Sequence, residues 1–177
     1  CEQLGWKAPD AVIIPTGNGT LFLGAYIGFK ELAEAGIIDG LPKLIAVQSS
    51  NCAPLYHRFY SGEVNAAPPS TPGNEQRQDS GSADGYMKPL AEGIAITEPI
   101  REREILDAVR ETNGEILTVD DASVREAFFE IGEKGYYIEP TSATAIAGFK
   151  QYREKTSGDT ITVIPLTGSG LKSSAIT

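Results

Sequence analysis

Apolar residues along this chain recur in two alternating patterns. Short β-branched runs bounded by turn residues predict buried strands, and longer stretches with apolar positions three and four apart predict amphipathic helices. Ala11–Pro15 is the first run, set between Pro9-Asp10 and a glycine turn. Asn18 to about Ala35 follows as a helix, with Leu21, Tyr26, Phe29, Leu32 and Ala33 on or near its apolar stripe and Gly36 at its end. Gly24 and Gly28 cost that helix about 1 kcal/mol each relative to alanine, so they predict a close approach to the sheet. Leu44–Gln48 predicts the second strand and Ala53–Tyr60 the second helix.

The pattern then breaks. Ser61–Gly85 carries Pro68, Pro69 and Pro72, many glycines and serines, and almost no large apolar residue. It has too little to bury to offset its ordering entropy and predicts a flexible surface excursion, with structure resuming near Met87. Beyond it, Glu102–Thr112 reads as a helix and Ile116–Val119 as a strand. Asp120 or Asp121 caps a helix running to about Lys134 before Gly135, and Tyr136–Ile138 reads as a short strand. A helix from Thr141 to about Lys155 leads to the strand Thr160–Leu166. Alternating strands and helices with near-continuous apolar strands predict an α/β fold: a three-layer, doubly wound, mostly parallel sheet covered on both faces. No internal repeat is visible.

Composition narrows the function classes. The chain has 177 residues, a hydrophobic share of 41% and a charged share of 22%, those of a soluble domain with a real core. A formal charge of -9 argues against nucleic acid or an anionic membrane as partner. There is no apolar run long enough to span a bilayer. Cys1 and Cys52 have no motif spacing, which fits a reducing, cytoplasmic setting. The opening Cys1-Glu2-Gln3-Leu4-Gly5-Trp6-Lys7 reads as the tail of a helix, so the chain is expected to be the C-terminal piece of a larger protein.

The candidate chemistry sits where the first strand turns into the first helix. Gly17-Asn18-Gly19-Thr20 places free N–H groups at the positive end of a helix, where glycine lets the backbone come close to a phosphate. Asn18 and Thr20 add side-chain donors. The loop lacks the lysine of an ATP-binding P-loop, and Phe22 follows Leu21 where the dinucleotide fingerprint has its third glycine. A phosphorylated ligand other than a nucleoside triphosphate or NAD is expected. A second glycine turn, Thr167-Gly168-Ser169-Gly170, also ends a strand, and ligands of such sheets bind beyond the strands' carboxyl ends.

Four segments in order carry a resemblance. They are Pro15-Thr16-Gly17-Asn18-Gly19-Thr20, Ala91-Glu92-Gly93-Ile94-Ala95-Ile96, Glu139-Pro140-Thr141-Ser142-Ala143 and Leu166-Thr167-Gly168-Ser169-Gly170-Leu171-Lys172. Together they resemble the C-terminal half of the threonine synthases, pyridoxal-phosphate enzymes built like the β-subunit of tryptophan synthase. The resemblance covers nearly the whole chain except Ser61–Gly85, and serine and threonine dehydratases share most of the motifs. It implies that the whole chain is the C-terminal part of a cofactor-binding large domain, with a further domain upstream. It implies pyridoxal 5′-phosphate as cofactor, with Gly17, Asn18, Gly19 and Thr20 on its phosphate, Gly93 against its ring and Thr167 facing the ring nitrogen. A neutral hydroxyl there tolerates an unprotonated nitrogen, whereas a carboxylate would hold it protonated.

The implied activity is conversion of O-phosphohomoserine and water to threonine and phosphate. A serine or threonine dehydratase-like lyase and a non-catalytic phosphometabolite-binding domain are the alternatives. None of the eight lysines matches the context of the one that bonds the cofactor, so no catalytic residue is assigned and the isolated chain is expected to be inactive. The partner is a small amino-acid substrate, and base rates for soluble enzymes favour a homodimer. Other residues have plainer readings: Glu92 a solvated carboxylate, Glu139 a second-layer acceptor or a helix cap, Thr141 a helix cap, His57 a surface or packed side chain without metal-ligand spacing, Cys52 a small buried residue, and Lys172 an exposed cation.

Overall fold

Alternate residues of the first strand are buried on opposite faces of a sheet, and both faces are covered. The computed structural model describes residues 1–61 and 89–172. Apart from Ser61 itself, the excursion predicted over Ser61–Gly85 and its end near Met87 lie outside the described residues. The strands are β1 (Ala11–Pro15), β2 (Lys43–Ser49), β3 (Glu115–Val119) and β4 (Thr162–Val163). They pair in the order β3-β2-β1-β4, every pair parallel.

Val12, Ile14, Leu44, Ala46 and Ile116 face one layer of helices: α1 (Thr20–Glu34), α2 (Pro54–Ser61) and α3 (Glu102–Glu111). Phe22, Leu23, Leu55, Ile105 and Leu106 meet them there. Ala11, Ile13, Ile45, Val47, Leu117 and Val119 face the other layer, formed by α4 (Asp121–Glu133) and α5 (Pro140–Lys155) through Val124, Ala127, Ala143, Ala147 and Tyr152. Full burial of a large apolar side chain stabilises by about 1.5–3 kcal/mol, so these two layers dominate the folding energy. The expected three-layer α/β architecture is the one found. Among the described residues no helix is long and apolar enough to cross a membrane.

Three local readings need correction. Tyr136–Ile138 is no strand of the sheet; only Ile138 makes an isolated antiparallel bridge, to Ser169. Tyr136 and Tyr137 stay exposed, and the segment's backbone is spent on the turn after β4 instead. The strand expected over Thr160–Leu166 pairs only at Thr162–Val163, and Pro165 has no N–H with which to extend the ladder. Gly24 and Gly28 do not mark a close approach: a Cβ on either would meet nothing within 4 Å.

The close approach is at Gly148 of α5, where a Cβ would lie 2.6 Å from Val47 Cγ2. It follows that Gly24→Ala and Gly28→Ala each stabilise the chain by about 0.5–1 kcal/mol. Urea midpoints of the two variants check this, and a fall in either would mean that the outer face of α1 is covered.

Of the two candidate caps for α4, Asp120 is the one used. Its carboxylate accepts the Ser123 N–H at 2.7 Å, and that backbone hydrogen bond holds its pKa below the usual carboxylate value. Asp121 instead accepts from Leu90 N–H and Asn51 Nδ2, tying the segment before residue 92 to the sheet's end.

Candidate functional site

Strand order decides where a ligand can sit. From β1 the chain steps outward to β2 and β3, then returns to the other side of β1 for β4. That reversal is a topological switch point, and the crevice of such sheets opens beyond the carboxyl ends of the two strands flanking it. The loop after β1 is Thr16–Gly19, and the loop after β4 holds Thr167–Gly170. The β1–β4 register aligns Ala11 with Thr162 and Val12 with Val163, so the two glycine turns that the sequence singles out follow the carboxyl ends of neighbouring parallel strands.

The first turn is shaped for an anion. Gly19 caps α1 with φ 80°, the left-handed region that favours glycine. A Cβ on it would fall 2.2 Å from Ile105 Cδ1, so the loop is pressed onto α3. Arg58 and Glu102 fix the start of that helix with a 2.7 Å ion pair that is mostly shielded from solvent. Gly17 and Gly19 are buried while Asn18 and Thr20 are exposed. Among the described residues, the N–H groups of Gly17, Asn18, Gly19 and Thr20 have no protein acceptor, and neither side chain of Asn18 or Thr20 is committed to a hydrogen bond. This donor set fits a phosphate.

Three further segments lock onto this loop. A Cβ on Gly17 would lie 3.0 Å from the Ile94 Cα, so the short 3-10 turn Glu92–Ile94 packs directly on the Gly17–Thr20 loop. Gly93 in turn abuts α5: a Cβ there would lie 2.8 Å from Thr141 Oγ1. Gly168 meets the Glu139 carboxyl, which a Cβ would approach to 2.5 Å. The segment misread as a strand braces the second turn, with Glu139 N–H donating to Gly168 O at 3.0 Å and Gly170 N–H to Tyr137 O at 3.0 Å. Residues 17, 93, 141, 139 and 168 thus form one chain of contacts.

Thr167 is exposed and fully engaged by the protein on one side. Its hydroxyl donates to Glu139 Oε1 at 2.7 Å and lies 3.0 Å from Ser142 Oγ, while its N–H donates to Ser142 Oγ at 2.8 Å. Glu139 stands at the N-cap of α5, but its side chain makes no cap hydrogen bond. Ser142 is completely buried; the sequence places it only within the segment Glu139–Ala143 and assigns it no role of its own. His57 is exposed on α2 with its ring edge-on to Tyr56, and Cys52 is buried. Glu92 is exposed, as a solvated reading expects.

Comparison with known proteins gives the family and the fold. The family described as pyridoxal-phosphate dependent enzyme matches residues 1–168. The threonine synthase of Methanocaldococcus jannaschii is 33% identical over 97% of this chain, and that of Synechocystis sp. is 32% identical over 94%. These stretches are 40% and 38% of the two relatives, so the chain spans about 40% of the length of the proteins it matches. Among solved structures, a fungal L-serine ammonia-lyase from Rhizomucor miehei superposes with a TM-score of 0.69 at 19% identity, over 95% of this chain and 48% of its own. The processed form of threonine deaminase isoform 2 from Solanum lycopersicum does so with 0.60 at 22%, over 91% and 40%. At those identities the likeness is one of fold.

Proposed function

The chain belongs to the pyridoxal-phosphate dependent enzymes, and on that premise we propose that it forms the cofactor-holding part of a threonine synthase-like lyase. The observation that carries this reading is the convergence of four separate segments at the switch point beyond β1 and β4. The N–H groups of Gly17, Asn18, Gly19 and Thr20, with the side chains of Asn18 and Thr20, receive the cofactor's phosphate. The chain carries a net charge of -9, so attraction for a dianion has to be local, and the positive end of α1 supplies it. Gly93 lies against the ring and Thr167 faces the ring nitrogen. Once bound, the group supplies an electron sink for charge that develops on a substrate carbon.

The substrate of this reading is O-phosphohomoserine, taken with water to threonine and phosphate in the cytoplasm. The lysine that bonds the cofactor is assigned to the part of the relatives' length that this chain does not span. Lys30, Lys134, Lys150 and Lys155 are held in helix-surface ion pairs with Glu111, Glu130, Glu126 and Glu115.

Pyridoxal 5′-phosphate added to the 177-residue chain is expected to shift the amide resonances of Gly17–Thr20, with inorganic phosphate competing at the same amides. The same material releases no phosphate from O-phosphohomoserine; the protein extended to the relatives' length does. Ammonia release from threonine or serine in place of phosphate release would make it a dehydratase. Turnover by the 177-residue chain alone would overturn the division of the site.

A further inference from the structure

Gln48, next to last in β2, is completely buried, where an amide is costly unless its hydrogen bonds are made. Its Oε1 accepts the Tyr56 N–H at 3.2 Å, one of the donors that the first turn of α2 leaves free. That bond fixes which end of the amide is oxygen, because a backbone N–H only donates. Nε2 is thereby turned to Thr16 O and donates to it at 3.4 Å. Gln48 thus spans the start of α2 and the residue that precedes the Gly17–Thr20 loop.

We propose that Gln48 is a positioning residue that aims the Gly17 N–H into the crevice and so completes the loop's anion-binding set. This rests on the reading that the loop holds phosphate. A trans peptide is planar and carries its C=O and N–H on opposite sides, so holding Thr16 O against Gln48 turns the Gly17 N–H the other way. The remaining bonds of Thr16 do not set that plane. Its N–H donates to Val47 O at 2.8 Å and its hydroxyl to Ile14 O at 2.9 Å, which anchors the residue but leaves rotation about its Cα–C bond. Gly17 does not set it either: Ile94 leaves no room for a Cβ there, and a glycine passes readily between backbone angles that other residues avoid. The buried amide selects one orientation. It also braces the far end of the loop, since α2 carries Arg58, whose ion pair with Glu102 fixes α3, and Ile105 of α3 backs Gly19.

The test is a titration of the 15N-labelled chain with inorganic phosphate, read at the Gly17–Thr20 amides and at the side-chain amides of Gln48 and Gln151. In the unmodified protein the Gly17 amide and the Gln48 side-chain amide are expected to shift together, because hydrogen bonds in a chain polarise one another. Gln151, whose Nε2 donates to Thr118 O on β3, stays where it is. Gln48→Met keeps the length of the side chain and loses both bonds. There the Gly17 shift is lost, those of Gly19 and Thr20 remain, and phosphate affinity falls about tenfold. Thr112→Val also strips a buried backbone N–H of its acceptor, at Leu44, and retains the full Gly17 response, which separates aiming from general loosening.

A Gly17 amide or a Gln48 side-chain amide that stays still while Asn18–Thr20 move overturns the proposal without any variant having to fold. So does an unchanged Gly17 response in folded Gln48→Met. In both cases the moving amides leave the phosphate site standing. If none of the four loop amides moves in the unmodified protein, the phosphate reading falls as well.

Discussion

Gly19→Ala is expected to destabilise the fold by about 2–4 kcal/mol and to weaken phosphate binding at least tenfold. Two costs add at this position. The native φ of 80° charges any L side chain about 1–2 kcal/mol. The new methyl would also fall 2.2 Å from Ile105 Cδ1 and 2.6 Å from Cγ1, an overpacking worth about 1–3 kcal/mol in a fully buried setting. Relief requires the loop to lift from α3, and a lifted loop no longer holds its N–H groups convergent on one anion. A tenfold loss corresponds to about 1.4 kcal/mol, less than the strain the loop has to shed.

Urea denaturation and titration with inorganic phosphate measure the two effects on the same sample. The Ile105→Ala background separates their causes, since it removes the clashing atoms and leaves the φ strain. In that background the added cost of Gly19→Ala should shrink to about 1–2 kcal/mol. A Gly19→Ala chain with unmodified stability and phosphate affinity would mean that the loop is not pressed onto α3.

The sequence made β1, β2 and β3 legible because each holds a short apolar run whose side chains are buried on the two covered faces of the sheet. It did not make β4 legible in the same way. Thr160–Leu166 has the composition of a strand, but Pro165 and, among the described residues, the lack of a second neighbour reduce the paired part to Thr162–Val163. Tyr136–Ile138 has strand composition as well, and only tertiary context turns it into a brace for Gly170. Gly24, Gly28 and Gly148 are alike as letters. What separates them is the neighbour each faces: open space for the first two, Val47 for the third. The alanines around Gly148 (Ala143, Ala145 and Ala147, all buried) are the local trace of that contact.

The site divides along the same line. The Gly17–Thr20 loop proposed to hold phosphate is a local object, fixed by a strand, two glycines and a helix start, and the chain spells it out within a few residues. Its relation to Thr167 depends on strand order, which no local pattern records. The partners of Thr167 lie 28 and 25 positions earlier, at Glu139 and Ser142, and become neighbours only because α5 starts beside the end of β4. The sequence left Glu139 as either a second-layer acceptor or a helix cap, and its carboxylate makes no cap bond but accepts the hydroxyl of the threonine.

Among the described glycines, Gly114→Ala is expected to be the most damaging added methyl, at about 3 kcal/mol or more, while leaving phosphate affinity of the folded fraction unchanged. The turn from α3 into β3 is short. Thr112 ends the helix, Asn113 has φ 49°, and Gly114 N–H closes the turn on Val109 O at 2.8 Å. A Cβ on Gly114 would lie 1.9 Å from Leu44 O and 2.9 Å from Leu44 C. These are backbone atoms of β2 with no rotamer to change, unlike the flexible end of Ile105 at Gly19. Leu44 is also tied to this turn by its N–H, which donates to Thr112 Oγ1, so β2 cannot move away without breaking that bond.

Thr112→Val tests the tie by itself, leaving a buried N–H without an acceptor at a cost of about 1–3 kcal/mol. The two substitutions share Leu44, so their effects should fall short of additivity in the double variant. Because Leu44 lies at the amino end of β2 and the phosphate loop beyond the carboxyl ends, the damage stays at the opposite edge of the sheet from the site. A lowered urea midpoint with an unaltered phosphate titration is therefore the expected pair of results. Loss of phosphate affinity in folded Gly114→Ala would show that the two ends of the sheet are mechanically coupled.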